Sequence, residues 1–165
     1  MRYSFAIKTE ILCGTTQEIF WKKVANYLAR DLMKNMRSPF AKSILVASFV
    51  EIDDFSRSSF LGRMLAELLA EELHRLGFTV YEPRLTRDFL LEKEGEFILS
   101  RKSQNLYREI GAQAAVTGLI GRKENYLVVQ VRMISLADSR ILSIGSIEII
   151  GLDEETSPSV LDSLP

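Results

Sequence analysis

The sequence predicts a single α/β (α+β) domain, in which helices pack on a mixed sheet of about five strands. Helical and strand patterns alternate in the first half, and a strand–helix–strand order there predicts a βαβ unit with parallel strands. Three long segments with alternating apolar and polar residues fill the last third and indicate an antiparallel β-meander. Together these observations place two helices over a sheet that ends in antiparallel strands.

Length and composition narrow the class of protein. The chain has 165 residues, the usual size of one domain, and 47% of them are apolar, which is enough for a large core. The formal net charge is -1, so no long-range field attracts nucleic acid, and we expect no nucleic-acid partner. One cysteine and one histidine cannot supply a structural zinc site or an intramolecular disulfide.

The first helix is predicted over residues 17–36. Thr15 or Thr16 can cap its start, and Ser38-Pro39 ends it. Its apolar residues fall on one stripe: Phe20, Val24, Tyr27, Leu28 and Leu32.

The βαβ unit follows directly. Residues 43–50 form a nearly continuous apolar run, which is typical of a central strand covered on both faces. Ser58 or Ser59 caps a second helix that ends near Gly77, and residues 78–82 read as the second strand. The apolar stripe of this helix is Leu61, Leu65, Leu68, Leu69, Leu73 and Leu76.

The second half begins with an ambiguous segment and continues as the meander. Residues 88–99 suit a hairpin with Gly95 in its turn, and a short helix over 85–92 is the alternative. Residues 103–110 read as a short helix. The meander strands are predicted at 114–121, 126–135 and 140–150, with one wet and one buried face on the middle strand.

Both ends of the chain are predicted to lie outside the domain, which spans 17–150. Residues 1–16 read as an irregular lead-in, where Lys8 and Glu10 interrupt the apolar core that an export signal requires. Residues 151–165 read as a flexible acidic tail. No apolar run approaches the roughly 20 residues that span a bilayer.

No motif identifies a catalytic centre, a cofactor site or a metal site. The phosphate-binding loop and the three-glycine dinucleotide fingerprint are absent from the sequence. The single histidine, His74, sits near the end of a leucine-striped helix without a local nucleophile and acid to form a triad. We therefore predict that the chain is not an enzyme.

Two groups of charged residues are candidates for interaction or structure. Asp53 and Asp54 lie in the polar crossover before the second helix, where Arg63 could pair with either and hold the crossover. Basic residues also flank the predicted Gly95 hairpin, where they could meet an acidic partner or RNA, although a solvated charged rim is the favoured interpretation: Arg84, Arg87, Arg101 and Lys102.

The order of these features resembles the FlgO family of flagellar outer-membrane-associated proteins. The resemblance begins with Val46-Ala47-Ser48-Phe49-Val50 and the helix opening Leu61-Gly62-Arg63, and it continues through Leu76-Gly77-Phe78-Thr79-Val80. Its most distinctive piece is Gly95-Glu96-Phe97-Ile98-Leu99-Ser100-Arg101, and its last pieces are Val116-Thr117-Gly118 and Val131-Arg132-Met133-Ile134-Ser135-Leu136.

The resemblance implies an exported, often lipid-anchored protein of the cell envelope, in the periplasm or at the outer membrane, that serves flagellar assembly or motility without catalysis. It also implies a domain similar to the small α/β modules at the N-terminus of TolB and in CsgG. Partners would be flagellar or envelope proteins, or further copies of the chain. The alternative function is a small-ligand or nucleotide module, with its crevice at the carboxyl ends of the parallel strands, near 51–58 and 82–87. Because the sequence shows no intact signal peptide, a cytoplasmic location also stays open.

Overall fold

The computed structural model describes residues 16–36, 42–82, 111–123 and 126–150. They form two helices and a six-stranded sheet. The helices are α1 (Thr16–Lys34) and α2 (Phe60–Arg75), and the strands are β1 (Ser43–Val46), β2 (Val50–Glu51), β3 (Thr79–Tyr81), β4 (Ala114–Lys123), β5 (Tyr126–Ser135) and β6 (Ile141–Ile150).

The sheet is mixed, which confirms the predicted fold class. Its strand order is β3-β1-β4-β5-β6, and β2 pairs with β4 beyond the end of β1. β1 runs parallel to both β3 and β4, while β4, β5 and β6 form the predicted antiparallel meander. The predicted hairpin or helix around Gly95 and the helix at 103–110 lie outside the described residues.

The apolar run at 43–50 forms two strands instead of the one predicted. Val46 pairs with Val116, and Val50 pairs with Leu119. Between these two pairs the run advances by four residues, whereas β4 advances by three. One extra residue in one strand is the defining feature of a β-bulge, and it turns the following side chains to the other face of the sheet. The segment stays attached to β4 because the Ala47 N–H donates to the Val116 carbonyl at 2.9 Å.

Both helices cover the same face of the sheet, and the main core lies beneath them. α1 contacts β5 and β6, and α2 contacts β1, β3 and β4. The core is built from fully buried side chains of both helices and from every second residue of the strands, including Leu28, Leu32, Leu61, Leu65, Leu69, Leu73, Ile44, Val116, Ile120, Leu127, Val129, Val131 and Met133.

The buried stripe of α1 is rotated relative to the sequence prediction. Val24, Leu28 and Leu32 are buried as expected, but Phe20 and Tyr27 are only half-buried. Trp21 and two alanines, Ala25 and Ala29, complete the stripe instead. The reason is that α1 packs against α2 as well as β6, so it needs a wider buried surface with small residues on it.

α2 follows the sequence prediction at both ends. The Ser59 Oγ accepts a hydrogen bond from the Gly62 N–H at 3.2 Å, as an N-cap does. Gly77 adopts a φ of 94°, which is the left-handed conformation that ends many helices. Leu76, predicted in the apolar stripe, is exposed because the helix has already ended at Arg75.

Candidate interaction surface

No cluster of metal-ligating side chains is formed by the residues that the structure describes. Among them, no three His, Cys, Asp or Glu side chains come together. His74 is exposed in the last turn of α2. Neither described helix is long and apolar enough to cross a membrane.

The segment 51–57, which holds two of the predicted site residues, is a hydrogen-bonded loop. The Glu51 N–H donates to the Arg57 carbonyl at 3.0 Å, and the Arg57 N–H donates to the Asp54 carbonyl at 3.1 Å. The Asp54 carboxylate accepts hydrogen bonds from the hydroxyl and the N–H of Ser56, at 2.6 and 3.0 Å. These bonds, with the nearby Arg57 charge, hold the pKa of Asp54 below its usual value. The loop is therefore closed by its own bonds.

The other predicted site residues are placed as follows. Asp53 is exposed in the same loop. Arg63 is half-buried, and its Nη1 donates to the Ser58 carbonyl at 3.0 Å, which ties the first turn of α2 to the end of the loop. The pairing of Arg63 with Asp53 or Asp54 stays a prediction. Four further predicted site residues lie outside the described residues: Arg84, Arg87, Gly95 and Arg101.

The predicted ligand crevice cannot be built from the described residues alone. Its first half, 51–58, is the hydrogen-bonded loop described above. Of its second half, only Glu82 is described, because 83–87 lie outside the described residues. The small-ligand alternative stays a prediction.

The same loop displays large apolar side chains. Phe55 is 62% exposed and Ile52 is 57% exposed, and Phe60 at the start of α2 is also exposed. Ile52 is anchored to the sheet because its N–H donates to the Ile120 carbonyl at 2.8 Å. Its Cγ2 lies 3.3 Å from the point where a Cβ on Gly121 would stand. Ile52 therefore extends over the sheet face opposite the helices.

Among the described residues, neither helix packs on that opposite face along β4, β5 and β6, and we call it the open face. It consists of the residues that alternate with the buried core residues on each strand. Paired across the strands, they form four rows: Lys123–Tyr126–Ile150, Gly121–Val128–Glu148, Leu119–Gln130–Ser146 and Thr117–Arg132–Ile144. Tyr126, Ile144 and Ile150 are exposed, and Leu119 and Val128 are half-buried.

A single arginine is held in a defined position on the open face. The Nε and Nη2 of Arg132 donate to the Gln130 Oε1 at 3.1 and 2.7 Å. Gln130 therefore fixes the guanidinium along β5. Glu148 stands two rows away on β6 with opposite charge, and its carboxylate makes no hydrogen bond within the described part of the chain.

The open face is limited at its other end by a second, small apolar cluster. Leu45 on β1 and Ala115 on β4 are fully buried on this side of the sheet, together with Ala112 and Leu136, and Tyr81 packs against them. The exposed part of the face is therefore the β4–β6 half.

The free edge of the sheet at β6 is covered in its middle by α1. The Asn35 Nδ2 donates to the Ile144 carbonyl at 3.0 Å, and the Ser146 N–H donates to the Asp31 carboxylate at 3.0 Å. The Ile144 carbonyl and the Ser146 N–H point away from β5, toward the side on which another strand could pair with β6. Covering such groups is a known protection against edge-to-edge association.

The FlgO family model, described as FlgO protein, matches residues 26–150. The chain belongs to the FlgO family. This confirms the resemblance found in the sequence, and the matched region covers all of β1–β6, α2 and about the second half of α1. A comparison with curated proteins finds no match for this FlgO-family chain.

Solved structures show the same fold. The LpoB C-terminal domain from Salmonella enterica is 15% identical, with 79% of this chain and 98% of that one covered and a TM-score of 0.51. The Escherichia coli LpoB C-terminal domain is 15% identical, with 78% and 96% covered and a TM-score of 0.53. The NMR structure of E. coli LpoB is 16% identical, with 74% and 65% covered and a TM-score of 0.54.

Sequence reasoning missed the open face of this FlgO-family domain. It recognised the Val128, Gln130, Arg132 alternation as a wet face of β5. It did not recognise that β6 adds large apolar side chains beside it. The available signal was the isoleucine content of 141–150, which exceeds what one buried face of a strand needs.

Proposed function

We propose that this FlgO-family chain is a non-enzymatic interaction module of the cell envelope that serves flagellar assembly and motility. The observation that carries the proposal is the open face, where Ile144 stands exposed beside the positioned Arg132 and Tyr126 and Ile150 stand exposed at the other end. Protein–protein interfaces are enriched in aromatic side chains and arginine, and both occur on this face.

The rigidity of the open face supports an interaction role. Its side chains stand on three strands of ten residues each, and the central strand β5 is hydrogen-bonded to a neighbour on each side. A surface that is already ordered loses little conformational entropy when a partner binds. Isolated exposed apolar residues are common on monomeric proteins, but a group of them on one flat face marks an interaction site.

Three of the described carboxylates have structural roles. Asp54 closes the 51–57 loop, and Asp138 closes the turn between β5 and β6. Glu72, the carboxylate buried between the helices, accepts hydrogen bonds from Asn26 and Arg75. A group committed to such bonds is poorly placed to act as an acid or base toward a substrate.

The location in the envelope is inferred from the family. FlgO-family proteins are associated with the outer membrane, and we expect this chain to work in the periplasm or at the outer membrane. Its partners there would be flagellar or other envelope proteins.

Complementation of a strain that lacks the chain tests the proposal. Ile144→Asp places a charge in the open face, and the matched control Ile19→Asp places the same charge on α1, where Ile19 is 52% exposed. We expect Ile144→Asp to reduce swimming motility while Ile19→Asp restores it, with equal protein levels by immunoblot. Full motility of the deletion strain itself would contradict the flagellar role. Full motility of the Ile144→Asp strain would contradict the role of the open face.

A further inference from the structure

We propose that the open face binds a second copy of the same chain, face to face about a two-fold axis, with Arg132 of each copy paired to Glu148 of the other. This inference deepens the proposed function, since it names the partner of the open face. It rests on the charge pattern of that face and on the register of its strands.

The two charges are complementary and lie apart on one face. Glu148 pairs with Val128 in the sheet, and Arg132 lies four residues from Val128 along β5. At about 3.4 Å per residue and about 4.8 Å between strands, Arg132 and Glu148 are roughly 14 Å apart. They are too far apart to pair within one chain, and in the described part of the chain neither has an ionic partner.

A two-fold axis relates these positions between copies. The axis lies in the plane of the interface, is perpendicular to the strands, and passes through the Gln130–Ser146 row. Rotation about this axis places the Arg132 row of one copy over the Glu148 row of the other. Two sheets packed face to face cross at about 30°. The arginine side chain is long enough to span the displacement that this crossing angle introduces. Because a two-fold contact is made twice, each dimer gains two Arg132–Glu148 pairs.

The alternative in-plane axis is disfavoured by the same charges. An axis parallel to the strands would lay each row over itself and bring Arg132 close to Arg132 of the other copy. Like charges facing each other across an interface destabilise it. The central row poses no such problem, because the Gln130 amide and the Ser146 hydroxyl can each donate and accept hydrogen bonds.

The size and charge of the surface agree with a weak dimer. Three strands of ten residues give a face of about 34 by 14 Å, or roughly 480 Å² per partner, which is below the roughly 800 Å² per partner of stable complexes and in the range of weak ones. The apolar residues Tyr126, Ile144 and Ile150 would lose water contact on it. The net charge of -1 adds almost no repulsion between copies.

Charge reversal tests the proposal in solution. Sedimentation equilibrium of the full chain should show a concentration-dependent shift from 18.8 kDa toward twice that mass. Arg132→Glu or Glu148→Arg alone should weaken the dimer at least tenfold, and the double variant should restore it. A strict monomer at the highest concentrations, or a dimer indifferent to the single reversals, would overturn the proposal.

Cross-linking provides a second measurement, which reports the surfaces that face each other in the dimer. Ser146 is exposed and lies on the proposed axis, where sheets packed face to face stand about 10 Å apart, so Ser146→Cys in a Cys13→Ser background should be linked into a dimer by a short bis-maleimide that spans this distance. Glu67→Cys in the same background, exposed on α2, should not. Equal cross-linking of both variants would overturn the face-to-face arrangement. If the chain stays monomeric but single reversals abolish motility, the open face binds another protein, and the proposed function stands without this inference.

Discussion

The ring of Phe49 occupies the space in which residue 118 would carry a side chain. A Cβ built on Gly118 would lie 2.2 Å from the Phe49 Cγ, far inside any permitted contact. The Phe49 carbonyl lies equally close to the Cβ position of Gly62 on α2, and the Phe49 N–H donates to the Gly62 carbonyl at 3.3 Å. Phe49, placed by the bulge between β1 and β2, thus joins the sheet to α2 through two glycines.

Gly118→Ala should lower the free energy of unfolding by about 3 kcal/mol, because the new methyl group must displace a fully buried ring. Chemical denaturation measures the loss. Gly121→Ala on the opposite face of β4 is the matched control, since its Cβ would meet only the exposed Ile52 side chain. It should cost less than about 1 kcal/mol.

A double-mutant cycle identifies Phe49 as the cause. Phe49→Ala should cost about 4 kcal/mol alone, and it should relieve part of the Gly118→Ala strain because it removes the Cγ and Cδ atoms that the new methyl group would meet. The double variant should therefore lose at least about 1 kcal/mol less stability than the sum of the two single losses. If the two losses of stability simply add, the Phe49 ring is not the reason that residue 118 must be glycine.

The two helices are joined by a polar contact at Glu72. Its side chain is 11% exposed, and it accepts a hydrogen bond from the Asn26 Nδ2 of α1 at 2.5 Å and from the Arg75 Nη1 at 2.8 Å. Asn26→Ala removes the bond between the helices and should cost about 2 kcal/mol, as hydrogen bonds to charged groups do.

Glu71 provides the control for Glu72, because it pairs with the same Arg75 but its side chain is 47% exposed. Glu71→Ala should change the free energy of unfolding by less than about 1 kcal/mol. Glu72→Ala should cost clearly more, measured under the same denaturation conditions. Equal losses for the two variants would show that the contact between the helices contributes nothing beyond a surface ion pair.

We expect the contacts of α1 with the edge of β6 to protect the chain from aggregation. Asp31→Ala with Asn35→Ala would free the Ser146 N–H and the Ile144 carbonyl at the edge. We expect faster aggregation on mild heating, seen by light scattering, because an unpaired edge accepts further strands. Lys34→Ala, an exposed change in the same turn of α1, serves as control. Identical aggregation of the two proteins would refute this role of the helix.

Local sequence signals were sufficient for the elements with distinct ends or regular alternation. α2 was predicted because Ser59 and Gly77 mark its ends, and the meander because apolar residues alternate over ten positions. The break between β1 and β2 was not predictable, because a bulge depends on how Val46 and Val50 match β4, nearly 70 residues away. The local run looks continuous.

The open face could not be derived from sequence for a similar reason. Arg132, Ile144 and Thr117 stand in one row only because of the register of three strands. Each strand by itself shows an ordinary alternation. Sequence reasoning therefore turned to charged residues in loops, such as Asp54, whose bonds in the structure close the loop that contains it.

The turn between β5 and β6 contains a residue in an unfavourable conformation. Ser139 has a φ of 60°, the left-handed region that favours glycine. Ser139→Gly should raise the free energy of unfolding by up to about 1 kcal/mol, and Ser139→Val should lower it by more than that. Thermal unfolding compares the three proteins. A less stable Ser139→Gly variant would mean that the added freedom of the unfolded chain outweighs the relieved strain.

Asp138 in the same turn predicts a pH-dependent stability. Its carboxylate interacts with the Ser135 hydroxyl and accepts hydrogen bonds from the N–H and Nε of Arg140, at 3.2 and 2.6 Å, and these contacts lower its pKa from 3.8. A lowered folded-state pKa means that the stabilisation is complete above the unfolded value and is lost as the pH falls through the folded value. Asp138→Asn should therefore reduce the unfolding midpoint at neutral pH, and the difference should vanish in strong acid. Asp53→Asn, whose carboxylate has no hydrogen bond in the described part of the chain, is the control. A difference between Asp138→Asn and wild type that stays constant down to strong acid would show that the ionised carboxylate does not stabilise this turn.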